Sequence, residues 1–318
     1  MTPTIGTTTV LDRQGLKRSD EAYLAGLQAR PDARFMVLAD QKPVISGNKE
    51  RTEAGIRWLK RADLEKAGLP FTAEELLFLG VDKKSGTPHF ALGVTEHRTS
   101  HAPGALTHLR PIVDLRTLAM QGIMSAEDQS LIGQAKALVQ WHENCRCCGR
   151  CGGTTLVKDG GWRRKCWACG LEHFPRTDPV VIMLVVDKAG GRCLLGHEAR
   201  FGKDPKMWST LAGFIEYGED ISHAVQREVH EEAGITVGEV KFHSTQPWPF
   251  PHSLMIGCIG YAETTDITIN PDEIEEARWF SRDEIKQMMA RKHPQNWWVP
   301  GKQAIACALI TSFVEGTV

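Results

Sequence analysis

The stretch at 213–235, GFIEYGEDISHAVQREVHEEAGI, constrains this chain more than any other. Within it Ile221, Ala224, Val225 and Val229 recur at helical period, which predicts an amphipathic helix over 220–233 with Gly234 just past its end. On such a helix Glu228, Glu231 and Glu232 stand at i, i+3 and i+4 and share one face, and Glu219 enters from the preceding loop. Like charges at these spacings oppose one another by about 0.2–0.5 kcal/mol per pair, so the face calls for a cation. Carboxylate oxygens without His or Cys favour Mg²⁺ or Mn²⁺ over zinc. Arg227 is expected to face away from the glutamate cluster and to orient one glutamate by an ion pair, while Glu219 supports the loop or an outer metal. Three glutamates alone would fit a solvated acidic face.

A second constellation lies upstream. Of nine cysteines, six fall in one short run: Cys145, Cys147, Cys148, Cys151, Cys166 and Cys169. Two matched knuckles, Cys148-Gly-Arg-Cys151-Gly152 and Cys166-Trp-Ala-Cys169-Gly170, are separated by 14 residues that have room for a hairpin. This is the pattern of a four-thiolate zinc ribbon, and a closed site of that kind is structural. Cys145 competes with Cys151 through its own spacing to Cys148, but only Cys151 gives both knuckles the trailing glycine. Cys193, Cys258 and Cys307 sit in apolar surroundings and read as core residues. The basic run Arg163, Arg164 and Lys165, with Trp162 and Trp167 beside it, is either a solvated face or a nucleic-acid contact.

With 318 residues, 42% of them hydrophobic, the chain has material for two cores. A formal net charge of −1 gives no global attraction to duplex nucleic acid or an anionic membrane. No apolar run approaches the roughly 20 residues of a membrane span, and the clustered cysteines suit a reducing, cytoplasmic setting. Residues 1–20 are polar and expected to form a loose arm. Strands are expected within 33–45 and at 75–79 and 89–94, and a helical bridge over 115–141. His97, His101 and His108 are scattered and read as surface or core residues. Beyond the cysteines, strands are expected at 179–186, 191–195, 238–243, 254–262 and 276–280, with a last helix from about Lys302. Strands flanked by helices in mixed order give an α/β sandwich.

Soon after the glutamate helix comes STQPWPFPHS at 244–253, with three prolines in five residues. A stiff loop is expected there, presenting Trp248 and Phe250 with little entropy left to lose on binding a flat ring.

The pattern Gly-x5-Glu-x7-Arg-Glu-hydrophobic-x-Glu-Glu-x-Gly-hydrophobic at 213–235 resembles the Nudix box of diphosphate hydrolases and has no mismatch. STQPWPFPHS resembles the marker SQPWPFPxS of that family's NADH pyrophosphatase branch, with Thr245 where the marker has Ser. The four-cysteine ribbon belongs to the same branch. The resemblance spans roughly residues 20–315. It implies a Nudix α/β/α sandwich over 175–318, a degenerate Nudix-like domain over 21–140, and a zinc ribbon between them at 141–174.

The implied activity is metal-assisted hydrolysis of NADH and NAD⁺ to nicotinamide mononucleotide and AMP, and removal of NAD caps from RNA. Metal would be held by Glu228, Glu231, Glu232, Glu273 and the carbonyl of Ala212, and Glu231 or Glu232 would be the general base. Phe174, Ile182, Phe214, Trp248, Phe250 and Ala306 would line the pocket, with Gln246 and Ser253 supplying hydrogen bonds. A homodimer is also implied. ADP-ribose or another dinucleotide is the nearest alternative substrate, and a zinc-ribbon nucleic-acid sensor is the alternative of another class. A sensor would be expected to lose box glutamates, and all are present.

Overall fold

The computed structural model describes residues 10–48, 52–69, 71–95, 109–187, 189, 191–199 and 205–318. His97, His101 and His108 lie outside the described residues, as do the first nine residues of the expected arm. The chain divides into two compact units. One comprises the described chain up to Arg176 plus Pro249–His252; the other comprises Thr177–Trp248 and Ser253–Val318.

In the first unit the elements run β1 (Leu11–Asp12), α1 (Glu21–Ala29), β2 (Arg34–Ala39), β3 (Lys42–Pro43), β4 (Ile45–Gly47), β5 (Ala54–Ile56), α2 (Arg61–Lys66), β6 (Leu77–Asp82) and β7 (Pro88–Val94). Then come α3 (Leu115–Gln121) and α4 (Ala126–Asn144), so the expected helical bridge is two helices broken at Gly122, which adopts φ +66°. Five strands form one sheet in the order β1-β6-β7-β2-β3. Leu11 pairs with Asp82 and is buried, so the end of the segment expected to be a loose arm is an edge strand. Leu131, Ile132, Ala135 and Leu138 of α4 pack with Met36, Leu38 and Leu79 of the sheet. Each such leucine, isoleucine or methionine side chain, fully buried, contributes roughly 1.5–3 kcal/mol. The ribbon follows as a three-stranded sheet, β8 (Thr155–Lys158), β9 (Arg163–Cys166) and β10 (Glu172–His173), in the order β10-β9-β8.

The second unit contains β11 (Asp178–Val186), β12 (Arg192–His197), β13 (Leu211–Phe214), α5 (Ile221–Ala233), β14 (Val237–Trp248), β15 (Ser253–Ala262), β16 (Glu276–Ser281), α6 (Arg282–Met289) and α7 (Ile305–Glu315). Its sheet runs β14-β15-β11-β12-β16, with β13 paired to β11. Val225 and Val229 of α5 bury against one face of this sheet and Leu309 and Phe313 of α7 against the other, giving an α/β/α sandwich.

The two sheets share a wiring. In each, a strand forms a hairpin with the next (β2–β3, β11–β12), and a later hairpin (β6–β7, β14–β15) returns so that its second strand runs parallel to the first strand. Between β5 and β6, where the second unit has its glutamate helix, the first has the six-residue α2, RADLEK. Among the described residues, the first unit therefore repeats the sheet without the glutamate helix.

Candidate active site

Helix α5 is closed at both ends as the sequence suggests. The Asp220 side chain accepts from the His223 N–H at 2.9 Å, and Gly234 ends the helix at φ +68°. Thr268 Cβ would lie 3.0 Å from a Cβ at Gly234, so glycine is required there twice over. Ala224, Val225, Val229 and Ala233 are fully buried, but Ile221, at the first turn, is 37% exposed and lies outside that stripe.

Gly213, on β13, faces Glu228. A Cβ there would fall 1.8 Å from Glu228 Cδ, so only glycine leaves room for that carboxylate. Arg227 does not face away from the cluster, and that expectation is corrected. Its Nε and Nη2 form a fork on Glu219 at 2.6 and 2.9 Å, Nη1 reaches Glu228 and Glu231, each at 2.9 Å, and Nη2 also donates to the Phe214 carbonyl at 2.8 Å. The physical reason is that Arg227 and Glu231 are themselves i, i+4 neighbours, and a guanidinium presents five donors. The fork holds the Glu219 carboxyl down at about 2, and Glu219 in turn accepts from the Glu216 N–H at 2.9 Å, fixing the loop.

Glu232 is different. It is only 6% exposed. Burial, then the charges of Glu228, Glu273 and Glu198, push its carboxyl up to about 8, against a hydrogen bond from the Ala212 backbone. Glu228 is also raised, by burial first. The charges of three carboxylates from three places in the chain thus act on the buried Glu232. Glu273 comes from the turn before β16, where its N–H bonds to the Asn270 carbonyl. Glu198, one residue past β12, was not singled out from the sequence. No local pattern marks it, because only strand pairing brings it near α5. The donor set is oxygen only and mutually repelling, and its chemistry fits a divalent cation with Glu228, Glu232 and Glu273 as carboxylate ligands.

The sequence-predicted binding residues divide. Phe214 is 57% exposed beside the box, and Trp248 and Ser253 pair at the β14–β15 turn. Ile182 and Ala306 have side chains in the core. Phe174 is exposed, and it folds with the first unit. Phe250 also folds with that unit, where its ring packs against the core and the Arg116 guanidinium lies 4.8 Å from its centroid. Gln246 is fully buried, and its amide is engaged within the chain: Nε2 donates to the Gln303 carbonyl at 2.9 Å, and Oε1 accepts from the Ile305 N–H at 2.8 Å. It thereby caps α7, which Ala304 cannot do with a side chain. The expected proline loop is shorter than expected. Gln246, Pro247 and Trp248 continue β14, and Pro247 is tolerated because β14 is an edge strand.

In the ribbon, Cys148, Cys151, Cys166 and Cys169 place their sulfurs within 4.8 Å of one another. Gly152 and Gly170 take φ +72° and +74°, the turn that the trailing glycines predicted. The Cys169 N–H donated to Cys166 Sγ draws that thiol down to about 6. Cys145 is the cap of α4 and Cys147 bridges to Thr154, so neither joins the group. The basic run is largely used internally: Arg163 pairs with Asp159 and Glu172, and Arg164 is buried. Trp162 donates to the Phe78 carbonyl at 2.8 Å, leaving only Lys165 and Trp167 exposed.

A family model described as "NUDIX domain" matches residues 176–298, and one described as "NADH pyrophosphatase-like rudimentary NUDIX domain" matches residues 32–141. The chain is 34% identical over 343 residues to "NAD-capped RNA hydrolase NUDT12" of Homo sapiens, covering 96% of this chain and 72% of that protein. It is 38% identical over 227 residues to the human "NAD(P)H pyrophosphatase NUDT13, mitochondrial", covering 68% and 63%. To "NAD-capped RNA hydrolase NudC" of Mycobacterium bovis (strain BCG / Pasteur 1173P2) it is 39% identical over 207 residues, covering 63% and 64%.

Proposed function

The chain belongs to the Nudix hydrolase family, in its NADH pyrophosphatase branch, and we propose that it hydrolyses the diphosphate of NADH and NAD⁺ and of NAD-capped RNA 5′ ends. The observation that carries this reading is the buried Glu232 carboxyl, surrounded by Glu228, Glu273 and Glu198 with its hydrogen bond from Ala212. Such a point is stable only with a polyvalent cation or a proton, and the relatives supply the substrate.

A bound Mg²⁺ or Mn²⁺ would neutralise the diphosphate and acidify a water molecule. Glu228, Glu232, Glu273 and the Ala212 carbonyl would hold it. Arg227 fixes the box by tying Glu219, Glu228, Glu231 and the Phe214 carbonyl into one network. Of the two candidate bases, Glu232 is buried under the charges of Glu228, Glu273 and Glu198, whereas the Glu231 side chain is 46% exposed. That difference favours Glu231 as the group that takes the proton of the attacking water. Phe214, Trp248 and Ser253 border the nucleotide, and Phe174 is a further candidate. The Ala306 N–H, in the first turn of α7, is a donor that helix geometry leaves without an intrahelical partner. Gln246 acts through α7. Zinc in the four-thiolate site is structural, and the protein works as a cytoplasmic homodimer. Among the described residues no helix is long and apolar enough to cross a membrane.

The test is incubation of the purified protein and Mg²⁺ or Mn²⁺ with NADH, NAD⁺, ADP-ribose and a short NAD-capped RNA. Release of AMP and reduced nicotinamide mononucleotide from NADH, or of monophosphorylated RNA from the capped strand, is expected. Cleavage of ADP-ribose alone would overturn the substrate assignment.

A further inference from the structure

The first unit holds a cavity of about 360 Å³ that the hydrolytic reaction does not use. Arg164 of β9 lines it and is only 8% exposed. Its Nε donates to Thr155 Oγ1 at 2.6 Å, Nη1 to His142 Nδ1 at 2.6 Å and Nη2 to the Thr155 carbonyl at 2.8 Å. All three acceptors are neutral. Because arginine only donates, His142 Nδ1 must be bare, and its Nε2–H then donates to the Gly161 carbonyl at 2.7 Å. Burial holds His142 neutral, with a pKa lowered to about 4. Among the described residues Arg164 is therefore a buried guanidinium with no ion pair, and two of its five N–H groups have no acceptor there.

The rest of the lining restricts what can meet it. Arg146 is a second guanidinium, exposed at the surface, and Glu74, Glu75 and Glu143 bring carboxylates to the same cavity. Glu143 accepts from Gln41 Nε2 through one oxygen, and its carboxylate is the acceptor that lies on α4 together with His142. A phosphate would face three carboxylates, and a metal ion two guanidiniums. An uncharged ligand with an acceptor edge beside a donor edge satisfies both sets. Leu77, Val139 and Val157 supply apolar surface for a flat body, and the volume lies in the lower range of ligand pockets, about 300–1,000 Å³.

We propose that this cavity binds a guanine base, whose O6 and N7 accept from an arginine fork while its N1–H and N2 amino group donate to a glutamate. That pairing of arginine with the O6/N7 edge is the commonest specific contact to guanine, and adenine presents a donor where guanine has O6. The site is separate from the hydrolytic residues, so it stands or falls independently of the proposed reaction.

The test uses the full-length, zinc-containing protein without Mg²⁺ or Mn²⁺, titrated calorimetrically with guanosine, inosine and adenosine. Saturable guanosine binding is expected, weakened several-fold for inosine, which lacks the N2 amino group, and at least about tenfold for adenosine. Arg146→Ala, at an exposed position, should weaken guanosine roughly tenfold. Arg164→Gln should abolish binding, with its thermal melt run as a control for folding. Five-nucleotide RNAs with and without a guanine separate the two sources of the base. Tighter binding of the guanine-containing strand than of guanosine identifies RNA, and equal binding identifies the free nucleoside. No saturable guanosine binding, equal affinity for adenosine, or full affinity in Arg146→Ala would overturn the proposal.

Discussion

Replacing Glu232 with glutamine should stabilise the metal-free protein while destroying its activity. Glu232 is buried and its carboxyl sits at about 8, against an ordinary value near 4.5, chiefly through burial. Below 4.5 both folded and unfolded chains hold the proton, and the group is neutral in its effect. Between 4.5 and about 8 the unfolded chain ionises but the folded one does not, so stability falls as pH rises. Above 8 the loss is complete. At about 1.4 kcal/mol for each pH unit, the full span amounts to roughly 5 kcal/mol at most, and relaxation of the site reduces this to about 2–4 kcal/mol. Glutamine fills the same space without titrating. In divalent-free buffer, with no chelator strong enough to strip zinc, Glu232→Gln and the parent should melt together at pH 4.5. At pH 8 the variant should melt higher by roughly 5–15 °C. Adding Mg²⁺ should reverse the ranking, since a cation at about 100 times its dissociation constant stabilises the parent by about 2.7 kcal/mol and the variant far less. A melting difference independent of pH, or a variant less stable than the parent at pH 8 without metal, would refute the reasoning.

Three further expectations follow from the same geometry. Glu231→Gln should lower kcat by about two to four orders of magnitude with Mg²⁺ affinity retained; loss of metal affinity instead would exchange the roles of Glu231 and Glu232. Cys148→Ser should release zinc and lower the melting temperature of the first unit, which atomic absorption and calorimetry read together; a stable variant retaining stoichiometric zinc rejects the ribbon. Gln246→Leu leaves the Ile305 N–H and Gln303 carbonyl without their partner and should destabilise the second unit by about 1–3 kcal/mol. It should also raise KM for NADH more than it lowers kcat, and an unchanged KM would show that α7 is not part of the binding site.

What the sequence displays is what is local. The glutamate helix was legible because period, cap and pattern all lie within 23 residues, and the knuckles because ligand spacing fixes a tetrahedral site. The errors arise where a side chain is longer, or a partner more distant, than spacing conveys. Arg227 was misplaced because its side chain curls over the face that Glu231 occupies. Glu198 escaped because strand pairing carries it to Glu232. Pro247 looked like a loop residue, since nothing local says that β14 lies at a sheet edge. Gln246 looked like a ligand contact because its partners, Gln303 and Ile305, are more than fifty residues away.

The repeated wiring of the two sheets explains why one chain contains one hydrolytic centre. A mixed sheet with a parallel central pair supplies the frame in both units, so the frame alone confers nothing. The second unit adds β13, whose Gly213 admits Glu228, and a 13-residue helix long enough to carry Arg227, Glu228, Glu231 and Glu232 on successive turns. The first unit has only the six residues of α2 at the corresponding place, and the charges of Arg61, Asp63, Glu65 and Lys66 there balance and need no cation. Relieved of that chemistry, its sheet packs α4 instead. The end of α4 brings His142 to Arg164 of the ribbon, joining sheet, helix and zinc module into one body. The cavity that Arg164 and His142 line lies at that junction.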